Sequence, residues 1–175
     1  MGVNDVKIAY VWNEPKDKVI LPERCSFKKV TKELEEDFKY AISQIIIDSL
    51  DREDRKHHTE ESRKEFAHSI FEVDEAHFEY DQDWWELAYV DGKLIGIVQP
   101  VVFKGAGNGG LKEGTIHYIG VLPEYRGKGL INDLLLRATQ ILQNIGVWRI
   151  FSDTDIENIP MQKAFEKAGY DKWKS

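Results

Sequence analysis

The feature that most restricts how this chain folds is a change of period around two glycines. Residues 115–121 alternate as a strand does, whereas Leu130, Leu134, Ala138, Ile141 and Ile145, with Ile131, Leu135 and Leu142 beside them, recur at helical spacing. Arg126-Gly127-Lys128-Gly129 stands between them, and Gly146 follows where a helix C-cap belongs. Two glycines spaced one apart remove side chains at the first turn of the helix. Unpaired backbone N–H groups and the helix dipole there attract an anion, so this junction should bind a phosphate. It is not an ATPase loop, because Lys128 is not followed by Ser or Thr, and no G-x-G-x-x-G is present.

The rest of the chain reads as strands and helices in one compact unit of 175 residues. Residues 6–12 alternate as a strand that Pro15 and Asp17 end, and 25–30 form a weaker one. From Thr31, a fitting N-cap, apolar positions Leu34, Phe38, Ala41, Ile42, Ile45, Ile46 and Leu50 predict a helix with one buried face. Residues 51–58 are polar and read as a loop, after which Thr59 caps a second helix carrying Phe66, Ala67, Ile70 and Phe71. Strands 84–90 and 93–103 flank Asp91-Gly92, the signal for a type I′ hairpin. The glycine-rich stretch 104–110 is a loop, 147–151 a short strand, and 160–168 a short helix stopped by Gly169.

Composition narrows the function classes. No apolar run approaches the roughly 20 residues that span a bilayer, and positions 1–5 lack a basic-then-apolar leader. With the lone Cys25, this predicts a cytoplasmic chain without membrane contact. The net charge of −7 is uneven: positions 48–86 hold fourteen acidic and five basic residues. Such a surface repels nucleic acid and attracts cations. His57 and His58 lack the spacing of a helical zinc site, and no cysteine pair assists, so no metal is expected.

Val121-Leu122-Pro123-Glu124-Tyr125-Arg126-Gly127-Lys128-Gly129-Leu130 resembles motif A of the GNAT superfamily of CoA-dependent N-acyltransferases. Asn158, Met161, Ala164, Phe165, Gly169 and Tyr170 resemble its motif B at the expected distance. The resemblance implies one acyl-CoA N-acyltransferase domain over 1–175, residues 1–24 being an extension with an extra strand. It implies an α/β fold: a mixed, mostly antiparallel twisted sheet flanked by helices, with splayed central parallel strands. Acetyl-CoA would be the acyl donor, held by Ile119, Val121, Arg126, Gly127, Lys128, Gly129, Leu130, Asn158 and Phe165. Val121 N–H would stabilise the oxyanion formed when an amine attacks directly, and Asn158 would bond the pantetheine or orient a water, its alternative being an N-cap.

Two departures fall where the chemistry lies. Phe165 replaces a tyrosine that often protonates the leaving thiolate, which leaves Tyr118, Tyr125 or water for that task. The chain also stops soon after Tyr170, where relatives usually have another strand. Residues 171–174 read as a truncated edge strand, and the N-terminal strand compensates within the chain or across a homodimer. The candidate general base is His117, which period two puts on one face with Thr115, Ile119 and Val121, its alternative being a buried, hydrogen-bonded histidine without a catalytic role; Glu113 and Glu72 are reserves. Tyr80, Trp84 and Trp85 either floor an acceptor pocket or pack, one tryptophan buried and one partly exposed. The charge favours a small cationic amine, polyamine- or aminoglycoside-like; a protein N-terminus or lysine, and a non-catalytic acyl-CoA-binding domain, are the other readings.

Overall fold

Asp91 and Gly92 both adopt left-handed backbone angles (φ 50° and 76°), and this two-residue turn folds β4 (Glu86–Val90) back on β5 (Lys93–Phe103). The computed structural model describes residues 6–13 and 17–174. The other strands are β1 (Lys7–Asn13), β2 (Ser26–Lys29), β3 (Phe78–Glu79), β6 (Lys112–Val121), β7 (Val147–Asp155) and β8 (Asp171–Lys172). They form one sheet in the order β2-β4-β5-β6-β7-β1-β8, with β3 paired to β5. Every pairing is antiparallel except β6 with β7, which are parallel.

Helices cover both faces. The apolar stripe of α3 (Leu130–Ile145), with α4 (Ile159–Lys167), packs Leu134, Leu135, Ala138, Leu142 and Phe165 against Tyr10, Val98, Val102 and Ile116. On the opposite face α1 (Glu35–Ile45) and α2 (Glu60–Phe71) cover Trp85, Leu87, Ile97 and Val101. Trp85 is fully buried between Phe38 and Tyr80, and its indole N–H donates to Pro100 O at 3.2 Å. Burying each such large side chain contributes roughly 1.5–3 kcal/mol. Trp85 is therefore core, and Trp84 is half-buried beside it.

The N-terminal strand lies between the last two strands of the sheet. β1 pairs antiparallel with β7 from Lys7↔Asp155 to Asn13↔Arg149, and its other edge takes β8 at Tyr10↔Lys172. The stop at Pro15 and the N-terminal positions 1–5 lie outside the described residues.

Four local expectations are corrected. Thr31 makes no capping bond; a 3-10 turn, Lys32–Leu34, precedes α1. The first helix ends at Ile45, so Leu50 is exposed; Asp48 takes a left-handed φ of 52°, which a short polar side chain tolerates, and turns the chain away. β6 begins at Lys112 rather than 115, and β7 runs on to Asp155. Thr59 behaves as expected and accepts from Ser62 N–H at 3.0 Å.

The fourth correction concerns faces. Opposite Gln99–Pro100 the register of β6 slips from Tyr118 to Ile116, which leaves His117 as an extra residue, a β-bulge. Alternation therefore breaks at His117. Ile119 and Val121 pack with the α3 cluster, whereas His117 turns to the opposite face, onto Gln99 and Phe78.

Candidate active site

The two parallel strands stay paired only from Lys112↔Val147 to Gly114↔Ile150, and then part. Leu122 N–H donates to Ile95 O on β5 at 2.7 Å, so strand alternation turns the backbone groups of Val121 and Ile119 the other way, into the gap. A cleft of about 880 Å³ passes through it, lined by Gly127, Gly129 and Leu130, by Ile119, Val121 and Phe165, and by Asp54, Phe66 and His117. Unpaired peptide groups along its wall and a glycine turn at its end fit a long, flexible donor with phosphates, such as acetyl-CoA.

At the glycine turn, Gly127 and Gly129 hold φ angles of 77° and 73°. A Cβ on Gly127 would meet nothing within 4 Å, so conformation rather than crowding requires glycine here. Leu130, at the first helical position, is buried. Arg126 donates to Ile45 O at 2.5 Å and Ile47 O at 2.8 Å, at the end of α1 where the helix dipole favours a cation. It ties the turn to the opposite layer. Lys128 lies 5.5 Å from the centre of the Tyr125 ring. Gly129→Val forces a β-branched residue into the left-handed region, and we expect acetyl-CoA binding to weaken at least about tenfold, about 1.4 kcal/mol. Calorimetric titration of the folded variant checks this; unchanged affinity would remove the phosphate assignment.

At the other end, the side-chain amide of Gln99 donates to Ile70 O at 3.1 Å, which presents its oxygen to His117 Nδ1 at 2.8 Å. Nδ1 therefore carries the proton and Nε2 is left as a lone pair. Burial lowers the His117 pKa below its usual 6.5, so the ring is neutral at pH 7.

Asp54 is the site residue that sequence reading missed. It sits in a 3-10 turn, Asp54–Lys56, inside the stretch read as a polar loop, and is buried. Its Oδ2 accepts from Ser49 Oγ at 2.8 Å and Tyr118 OH at 3.3 Å. Burial pushes its pKa above the usual carboxylate value and the Ser49 bond opposes this, while the phenol of Tyr118, desolvated beside a carboxylate, is pushed well up. Lys7 from β1 donates to Asp51 Oδ2 at 2.7 Å, and Asp153 lines the same wall.

The acidic stretch contributes Asp48, Asp51, Glu53 and Asp54 to the cleft; Glu72 and Glu75 are not among its lining residues. Glu113 is bound by Arg149 at 2.6 and 3.0 Å and also stands outside it, as do Tyr80, Trp84 and Trp85. Asn158 Oδ1 caps α4 by accepting from Met161 N–H at 3.2 Å, and the residue lines the cleft as well. Phe165 is stacked on Tyr10 with ring centres 4.7 Å apart.

A family model described as "Acetyltransferase (GNAT) family" matches residues 43–170. Mycothiol acetyltransferase of Arthrobacter sp. (strain FB24) is 30% identical over 98 residues, 53% of this chain and 30% of that protein. The enzyme of the same name from Pseudarthrobacter chlorophenolicus is 32% identical over 60 residues, 34% of this chain and 19% of that protein. The chain thus spans less than a third of these relatives. Among solved structures, a GNAT-family acetyltransferase from Colwellia psychrerythraea superposes with a TM-score of 0.63 at 16% identity, covering 95% of this chain and 52% of that one. Aminoglycoside 6′-N-acetyltransferase AAC(6′)-IG from Acinetobacter haemolyticus does so with a TM-score of 0.55 at 16% identity, covering 86% and 93%. With the parted strands, the glycine turn and a family match over most of its length, the chain belongs to the GNAT acetyltransferase family.

Proposed function

We propose that the protein transfers an acetyl group from acetyl-CoA to a primary amine on a small cationic acceptor by direct attack. The observation that carries this reading is one cleft joining the glycine turn at Gly127 and Gly129 to the buried carboxylate of Asp54 through the gap between β6 and β7. The thioester supplies an activated acyl carbon and a thiol leaving group whose reference pKa is near 8.5. Gly127, Gly129 and Leu130 hold the phosphates; Ile119 and Val121 offer peptide groups to the pantetheine arm, and Val121 N–H donates to the oxyanion. Asp54 accepts from the acceptor's ammonium, and His117 Nε2 takes its proton through water before attack. Tyr118 is engaged with Asp54, so Tyr125, which lines the cleft, or solvent returns a proton to the thiolate.

The acetyltransferases among the structural relatives that are named for aminoglycosides support a cationic acceptor, as do the four carboxylates of residues 48–54. A thiol-release assay over polyamines, aminoglycosides and lysine peptides tests the proposal. Steady-state release with the small amines is expected. Release with peptides alone would move the acceptor to protein, and acetyl-CoA binding without any release would reduce the domain to a binding module.

A further inference from the structure

The helix that should hold the phosphates carries a buried negative charge in its first turn. Asp133 is 2% exposed, one turn into α3 from Gly129. Left alone, it would oppose an anion at that helix end. Arg24, from the segment before β2 and outside the residues that the family model matches, meets it: Nη2 donates to Oδ1 at 2.6 Å and Nε to Oδ2 at 3.0 Å. The same guanidinium donates to Lys128 O at 3.2 Å and Gly129 O at 3.1 Å.

These last two bonds set a direction. In a trans peptide the N–H points opposite to the C=O. Holding both carbonyls toward Arg24 turns the N–H groups of Gly129 and Leu130 away from it, and both residues line the cleft. We propose that Arg24 is a positioning residue for the donor's phosphates, neutralising Asp133 and fixing the two peptide planes at Gly129 from behind the turn. It acts through the turn, without touching the phosphates. The inference rests on the acetyl-CoA reading above and adds a part of the chain that the motifs do not reach.

Calorimetry with acetyl-CoA and dephospho-CoA on the full chain tests it. Arg24→Gln should weaken both ligands about tenfold, equally, because the guanidinium stands behind the turn rather than at the 3′-phosphate. In steady-state kinetics the loss should appear in the KM for acetyl-CoA and leave kcat unchanged. Adding Asp133→Asn removes the unpaired buried charge but leaves the two carbonyls unheld, so this folded double variant should recover part of the loss and bind more tightly than the single variant. Unchanged affinity in Arg24→Gln, a loss confined to the 3′-phosphorylated ligand, or a folded double variant as weak as the single one would each overturn the proposal. Failure of the unaltered chain to bind acetyl-CoA would overturn the functional reading and this proposal with it.

Discussion

Replacing His117 by alanine is expected to lower kcat/KM for the amine about 100-fold near neutral pH, about 2.7 kcal/mol of transition-state stabilisation, while acetyl-CoA binds almost as before. The reason is the chain of bonds from Ile70 O through Gln99 to Nδ1, which puts the proton on Nδ1 and leaves Nε2 as the acceptor of a residue that lines the cleft. Burial lowers the pKa below 6.5, so the base form is already present at pH 7 and the acidic limb of kcat/KM falls below 6.5. That limb should vanish in the variant. Wild-type turnover with the limb intact would return His117 to a packing role against Phe78.

Asp54→Asn should separate binding from proton transfer. We expect the acceptor KM to rise about thirtyfold, since an ammonium loses its charge-assisted partner, with a smaller change in kcat. Stability should move the other way. A carboxylate whose folded pKa is raised contributes stability below its unfolded pKa and loses it as pH rises through the folded value. Where Asp54 ionises, its buried charge therefore costs the fold, and asparagine, which still accepts from Ser49, removes that cost. The melting temperature at pH 7 should be unchanged or higher. A lower melting temperature with an unaltered acceptor KM would make Asp54 a structural residue.

Much of this fold could be read from sequence because its signals are local. A two-residue turn, a capping threonine and the stripe of α3 each act within a few positions, and so does the glycine pair before α3. The parts that escaped depend on pairings across the chain. Nothing near Asp54 tells that Ser49 and Tyr118 enclose it, since Tyr118 comes from β6. Arg24 gains meaning only beside Asp133, and Lys7 only once β1 lies against β7. Period two misplaced His117 because a bulge is invisible until Gln99 and Pro100 are seen opposite it. Glu72, a reserve base by residue type, stands outside the cleft, because residue type says nothing of which way a helix end faces.

The place of β1 between β7 and β8 has a consequence for biosynthesis. This strand is made first among those described, yet its partners at 147–155 and 171–172 come last. At roughly 5–20 residues per second of elongation, this strand, with its apolar Ile8, Tyr10 and Val11, waits on the order of ten seconds for those partners. Pairing so distant in sequence is slow to form, and an unpaired apolar strand is prone to join another chain. The sheet of this acetyltransferase domain therefore closes only after residues up to 172 have been made, and until then the nascent strand is open to other chains.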